Sequence, residues 1–368
     1  EKSGPKEKLE ALRNERWNIG KAGLPRDMPA AYAVQDGKPG DARVQMRGEV
    51  EQQGPVVKRG MPKFLAADQC DIPANASGRL QLAQWLTRPD NPLTARVMVN
   101  RLWQHHFGKG IVTTPSNFGL RGDEPTHPEL LAWLAARFVD SGWSIKALHR
   151  LILLSRTYQL SSSHDEVNAV RDPGNRWYWR FDRRRLDAEA IRDTMLALSG
   201  KLDLSRPGPH PFPPMDKWTW TQHNPFKEVY PSDHRSVYLM TQRLQRHPYL
   251  VLFDGPDTNT STEQRTSATV PQQALFLMNN PFVRTQAEGF ARTLMRATND
   301  PRQRVQLAYD LAFSRAAKPI EVQKGLWYID EYARQLAQIG ISKEHWQEEA
   351  WTSFARTMLC ANEFVYVD

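Results

Sequence analysis

This sequence predicts a mainly α fold: a multi-helix, bundle-like domain with a minor β hairpin or strand component and a long Pro/Trp-rich loop. Three observations predict it. Apolar residues recur at helical spacing through most of the chain, in segments opened by Ser, Thr or Pro and closed by Gly. Strand-like texture is confined to short stretches around residues 30–65 and 235–253. Residues 201–234, dense in proline and aromatics, keep no period at all. At 368 residues the chain exceeds one comfortable core, so it divides into packed units. The boundaries read as 1–70 (helix end plus a short extended segment), 71–200 (helical core), 201–270 (Pro/aromatic loop and short strands) and 271–368 (C-terminal helices).

Element by element, residues 1–20 read as a charged helix with Gly20 as its stop. Ala30 to Leu65 reads as two short strands about the glycine turn Asp36–Asp41, then an extended Pro/Gly-rich stretch. A short helix over Gly78–Leu86 stops before Pro89. Thr94 caps a helix running to Phe107, with Gly108 beyond it. Thr126-His127-Pro128-Glu129 has the form of a capping box, opening a helix to Asp140. Ser144 caps Ile145 to Thr157, and Arg185 to Leu198 forms a helix closed by Gly200. Arg235–Gln242 is a strand candidate with His247–Phe253 beside it. Helices follow over Pro271–Met278, Phe282–Ala297, Pro301–Phe313, Ile320–Gln338 and Lys343–Cys360.

Composition removes several classes. Forty per cent apolar content with twelve Trp excludes global disorder, and no apolar run approaches the length of a membrane span. No CxxC, CxxCH or Cys/His spacing supports a zinc finger or a covalent haem, so no cofactor is expected within this chain. Cys70 and Cys360 are read as two unrelated thiols, with a bridge between them as the alternative. The net charge of +8 sits in arginine-rich local clusters; it reads as scattered ion pairing, with attraction to polyanions as the alternative. The chain starts at Glu1 with no signal-like segment, as a fragment or processed product would.

The densest information lies between Arg79 and Ser161, where polar residues are wedged into helical patterns. The run Asn91-Pro92-Leu93-Thr94-Ala95-Arg96, then Val99-Asn100-Arg101 and Trp103-Gln104-His105-His106-Phe107-Gly108, is followed by Asn117-Phe118-Gly119 and Pro125-Thr126-His127-Pro128-Glu129-Leu130-Leu131. With Arg184-Arg185-Leu186, Glu189 to Asp193, Phe253-Asp254, Arg265 and Pro271 to Leu275, these residues resemble the planctomycete-specific family catalogued as domain of unknown function 1553. That family has no established activity. The resemblance implies the C-terminal part of long exported proteins, with upstream domains of the same polypeptide as partners. It also implies a cell-envelope or periplasmic location, and a haem only where an upstream cytochrome c module exists.

Four constellations carry candidate chemistry. On the Thr94–Phe107 helix, Asn100, Arg101, His105 and His106 cluster; Arg101 and His105 are i,i+4 neighbours, whereas adjacent His105 and His106 cannot both chelate one metal. They form either helix-terminus partners or a polar cleft with a histidine acid, base or ligand. Asn117 through His127 is a glycine-punctuated turn leading to a helix N-terminus, either a packed turn or an anion site. Arg185, Glu189 and Arg192 at i, i+4, i+7 fall on one face of the expected Arg185–Leu198 helix as an Arg–Glu–Arg ladder; upstream, Arg176–Arg184 interleaves cations with aromatics. Asp254 and Asp257 on a Gly-Pro turn, followed by Glu263 and Arg265, could hold a hard cation or serve as acid and base, or Asp254 could cap its turn while Asp257 pairs with Arg265.

No nucleophile elbow, HExxH, Rossmann glycine pattern, P-loop or EF-hand is present. The leading expectation is a binding module of an envelope protein, with an Arg/His/Trp-lined cleft for an anionic or carbohydrate ligand or a neighbouring domain. A polysaccharide hydrolase or lyase is the alternative, with His105 or His106 as acid or base, Asp254 and Asp257 as carboxylate partners, and Arg101 or Arg265 stabilising negative charge. It requires those residues to converge. A nucleic-acid binder using the Arg–aromatic run is the third reading, and no sequence motif supports it.

Overall fold

The protein was analysed as a computed structural model. It describes residues 5–22, 34–65, 71–210, 213, 217–221 and 223–367. Helices dominate, and two small antiparallel two-stranded sheets supply the β component, as the sequence predicts. Contacts divide the chain into a unit over Glu1–Thr94 and a larger one over Ala95–Asp368.

The first unit holds α1 (Pro5–Ala22), a hairpin of β1 (Ala42–Gln45) and β2 (Gln53–Val57), and α2 (Arg79–Leu86). Gly20 falls within α1 and is not its stop. The hairpin is shifted along the chain from the expected one. Its turn is made by Met46–Gln52, where Arg47 and Gly48 take positive φ, while Asp36–Asp41 is irregular. Part of the expected first strand, residues 30–33, lies outside the described residues, as does Cys70. At the end of the unit the capping oxygen is that of Asn91, not Thr94. Asn91 Oδ1 accepts from the N–H of Leu93 and of Thr94 at 3.0 Å each. The Asn side chain reaches those amides two and three residues on, so the Thr94 hydroxyl becomes a donor to it.

The second unit holds two hydrophobic cores. One is built by α3 (Thr94–Phe107), α4 (Pro128–Asp140) and α5 (Ile145–Leu153), with Val99, Trp103, Leu134, Phe138 and Ile152 buried. Gly108 stands in the left-handed region (φ 79°) and ends α3 as its spacing suggests. The expected capping box at α4 is absent. Thr126 spends both its N–H and its hydroxyl on the Ile111 carbonyl, and His127 is the N-cap with no side-chain bond. Ser144 caps α5 through the Ala147 N–H, but that helix ends four residues earlier than expected, where the Ser155 hydroxyl takes the Ile152 carbonyl. A short α6 (Glu166–Arg171), capped by Asp165, was not legible in the sequence pattern.

The other core is formed by α7 (Ala188–Leu198), α8 (Pro248–Leu252), α9 (Pro271–Asn279), α10 (Pro281–Ala297), α11 (Pro301–Phe313), α12 (Pro319–Gln338) and α13 (Lys343–Leu359). Six helices of this unit, α4 and α8 to α12, open on proline at their first turn, where the missing N–H costs nothing. Trp351 and Phe290, 1% and 0% exposed, centre the packing of α13 on α10. The chain ends with α14 (Asn362–Val365) and β4 (Tyr366–Val367), which pairs with β3 (Arg184–Arg185). That pairing overturns the expected helix start at Arg185: Arg185 sits opposite Tyr366, Leu186 donates to the Val365 carbonyl, and α7 begins only at Ala188. No strand forms over Arg235–Gln242 either. Asp193 takes the N–H and hydroxyl of Ser236, fixing a 3-10 turn there, and His247–Phe253 contains α8.

Gly289 of α10 packs tightly on the end of α7: a Cβ there would stand 2.6 Å from Cβ and 2.9 Å from the carbonyl oxygen of Ser199, the residue that caps α7. Alanine would gain about 1 kcal/mol of helix propensity. The clash is with backbone, though, and overpacking costs about 1–3 kcal/mol. Gly289→Ala is therefore expected to lower the urea midpoint; a raised midpoint would show that α7 yields freely.

Candidate functional site

Spacing along α3 sets one wall of a cleft. Arg101, Gln104, His105 and Gly108 fall at i, i+3, i+4 and i+7, so they share one face, while Asn100 and Trp103 point inward. Opposite them run β3 and the turn at Phe253–Gly255, with the segment 256–267 completing the rim. The enclosed volume is about 460 Å³. No tryptophan lines it among the described residues, in contrast to the expected Trp-lined cleft. Residues from the first and fourth constellations, separate in sequence, thus meet: Arg101 and His105 with Asp254 and Arg265, and Arg185 between them.

Asp254 is the node of the opposite wall. It is a non-glycine residue at φ 61°, a conformation that Asp tolerates better than bulkier residues. Its Oδ2 accepts from the Ala268 N–H (2.9 Å), from Arg185 Nη1 (3.4 Å) and from Gln273 Nε2 (3.4 Å). Arg185 further donates to the Ala268 carbonyl at 2.6 Å and to Gln273 Oε1 at 3.0 Å, with its guanidinium over the Phe253 ring. Beside it, Arg265 grips Glu189 through two bonds of 2.5 and 3.0 Å. Burial pushes the Glu189 carboxyl up, but the Arg265 fork outweighs it and holds the group below its ordinary value. Asp187 is a further partner of Arg265 at 3.8 Å.

The Arg185–Glu189–Arg192 ladder does not exist. Arg185 is on a strand, Glu189 pairs with Arg265, and Arg192 is buried elsewhere. Its Nη1 donates to the His234 carbonyl and the Ser236 hydroxyl at 3.1 Å each, and its Nη2 to the Ser232 carbonyl. It thereby closes the base of the Pro/Trp-rich loop, whose ends also meet at the Asp203–His234 bridge.

Other expected site residues lie apart from the cleft. Asn100 is fully buried and holds both backbone groups of Val112, Nδ2 on the carbonyl at 2.9 Å and Oδ1 on the N–H at 2.8 Å. Asn117 accepts from the Gly119 N–H and so shapes its own turn. His127 contacts the Thr126 hydroxyl and the Trp177 and Tyr178 rings, and burial, then Arg176, depresses its pKa. Asp257 is exposed and accepts from Asn259 rather than from Arg265. His106 turns away from His105. Its Nε2 stands 2.7 Å from His149 Nδ1, and its ring meets Tyr158 edge-on. In the Arg–aromatic run, Arg176 and Arg180 stand over Trp177 and Trp179, and Asp172 accepts from the Arg176 and Trp177 amides. Among the described residues no cluster of three His, Cys, Asp or Glu side chains is set to hold a metal.

Gln104 and Arg184, which the sequence shows only as parts of longer runs, and Asp187 line the cleft without having been candidate site residues. The helical spacing from Arg101 contained the signal for Gln104. The place of Arg184 on the cleft could not be read that way, because it follows from pairing with the far end of the chain.

Residues 78–329, a span holding every cleft residue named above, match the family model described as PSD1, protein of unknown function (DUF1553). The chain belongs to the PSD1 (DUF1553) family. No curated protein and no solved structure matches it. The PSD1 match stops within α12, so α13, which completes the larger core, lies beyond it.

Two outcomes follow. Asn100→Ala would strand two buried backbone groups of this PSD1 chain, and denaturant titration should show a loss of roughly 2–4 kcal/mol; an unchanged midpoint would mean water replaces the amide. Burial, followed by His149 and Arg184, drops the His106 pKa from 6.5 to about 4. Between those values the unfolded chain binds more protons, so stability declines as pH falls from 6.5 towards 4. His127 and His247 shift in the same direction. Urea midpoints across that range should fall, and His106→Gln should flatten the slope without abolishing it.

Proposed function

We propose that this chain is a binding module whose cleft holds an anionic ligand, with an acidic glycan as the ligand class. One observation carries the reading. Arg101 and His105 face the cleft from α3, and their side chains make no hydrogen bond or ion pair among the described residues. The other lining cations are already occupied. Arg265 is paired with Glu189, Arg185 with Asp254, and Arg184 donates to the His105 carbonyl at the end of α3. An anion entering the cleft would thus meet the Arg101 guanidinium, with the His105 ring beside it on the same helix face, and neither requires an internal bond to be broken, as guanidinium recognition of carboxylates favours. Phe253, the phenyl ring on the lining, is buried beneath the Arg185 guanidinium, which argues for charge, not ring stacking, as the source of affinity. On the family resemblance, we place the module in the cell envelope beside other domains of its polypeptide.

The hydrolase or lyase reading retains one supporting observation: His105, Asp254 and Arg265 line one cleft. His105 would act as acid or base, and Arg101 would stabilise developing negative charge. The nucleic-acid reading draws no comparable support, since its cations stack on neighbouring rings of their own run.

Calorimetric titration with trigalacturonate and with a neutral trisaccharide at low salt tests the proposal. Binding of the acidic sugar alone is expected, weakening as salt rises, and about ten-fold weaker in Arg101→Ala, the loss of one charge-assisted contact. Equal binding of the neutral sugar, or indifference to Arg101→Ala, would overturn it. Chain cleavage of polygalacturonate that His105→Gln abolishes would establish the enzyme reading instead.

A further inference from the structure

The segment from Pro256 to Ser267 crosses the rim of the cleft as a strap, and its construction is unusual for so long a stretch. Beyond a turn at Thr258–Asn259, its members form no well-aligned backbone–backbone hydrogen bond among the described residues. Its two ends are rooted at a single carboxylate, since Asp254 receives the Ala268 N–H. On the near side, the Thr258 hydroxyl and Asn259 amide donate to the carbonyls of Gln242 and Arg243. On the far side, Arg265 is held by Glu189. Between these points, Thr260 to Gln264 is exposed and reaches the opposite wall through one residue. The Glu263 carboxylate accepts from the Ser116 N–H at 3.1 Å, and its backbone carbonyl receives a long bond of 3.4 Å from Gln104 Nε2.

We propose that Glu263 is an internal competitor for the cleft's ligand: its carboxylate occupies the Ser116 N–H and latches the strap until a carboxylate group of the ligand replaces it. The inference rests on the reading of the cleft as an anion site and names the chemical group recognised, a carboxylate. The physical argument is one of balance. A single charge-assisted bond at an exposed site contributes little net free energy, so it closes the strap without locking it. A segment lacking backbone partners opens locally at low cost. Gln104 shares the α3 face with Arg101 and His105, and Glu263, which lines the same cleft, joins it to the Ser116 amide, so a carboxylate that displaces Glu263 inherits a donor that already holds that group. Departure of Glu263 also removes one negative charge from the wall that an anion must approach.

The test compares wild type with Glu263→Ala and Glu263→Gln, using trigalacturonate as the probe and the hydrogen-exchange rate of the Ser116 amide as an independent readout. Removing the competitor should tighten binding about three- to ten-fold, in keeping with the modest strength of an exposed ionic contact. Glu263→Gln should behave similarly, because the charge is lost. Ser116 exchange should accelerate in Glu263→Ala and slow again when ligand saturates that variant. Unchanged or weaker binding in the variants would overturn the proposal and make Glu263 a strut or a ligand contact. Should trigalacturonate bind neither form, the anion-site reading loses its ligand class, while the exchange rate still decides the latch: faster in Glu263→Ala upholds it, unchanged refutes it.

Discussion

The cleft takes its shape from the contact between Asp254 and Arg185. Through it three pieces that share no local sequence are held together: β3, the turn after α8 and the start of α9, where Gln273 donates to both Asp254 and the Leu252 carbonyl. The two side chains are 20% and 10% exposed, so neither charge is well solvated. A pair at that depth gains little over apolar packing, but removing one partner leaves an uncompensated charge, at a cost of about 3–5 kcal/mol. The node is thereby a geometric constraint first. It fixes Asp254 in the left-handed region, aims Phe253 under the Arg185 guanidinium and gathers both ends of the strap.

The same economy explains the arginine richness of the chain. Arg192 donates to the carbonyls of Ser232 and His234, Arg304 to those of Thr298 and Met295 at the end of α10, Arg184 to His105, and Arg59 to Ala74 and Ala76. Long irregular connections leave carbonyls that no helix or strand satisfies, and a buried unpaired carbonyl is costly. A guanidinium, with five donors on a long arm, meets several such groups at once. Much of the positive charge is therefore structural, and it is bound up with the loops. Arg315 shows the variant with acids, forking to Glu321 and Glu363 while standing over Tyr309 and Phe313.

What the sequence showed depends on the range of the forces involved. The starts of α4, α9 and α11 at proline, and the end of α3 at Gly108, were readable because the cause is local backbone chemistry, whereas the short α8 opening at Pro248 was not. The Arg101–His105 pair was readable because helical spacing alone puts both on one face. Errors occur where a distant partner wins. Arg185 looks helical until Tyr366 arrives to pair with it, and Ser236 to Leu239 looks extended until Asp193 takes its donors. Thr126 likewise deserts a capping box for the Ile111 carbonyl. Asn100, which invites a site reading as a polar residue amid apolar ones, is explained by a carbonyl and an amide twelve residues further on. In each case the local preference is worth about a kilocalorie, within reach of one tertiary hydrogen bond.

This division bears on which reading of the cleft demands least of the protein. Catalysis by Asp254 would ask a carboxylate whose Oδ2 already receives three donors to engage a substrate through Oδ1, without loosening the strap it anchors. Arg265 would have to stabilise new charge while gripping Glu189 at 2.5 Å. Binding asks for neither. It draws on Arg101 and His105, which the α3 register presents to the cleft without internal partners, and on the Ser116 amide, whose present occupant sits on the least anchored part of the rim. The residues tied into the frame and the residues left for a ligand are thus different sets, and the second set places the Arg101 guanidinium, the His105 ring and the Ser116 N–H where their use leaves the Asp254–Arg185 node intact.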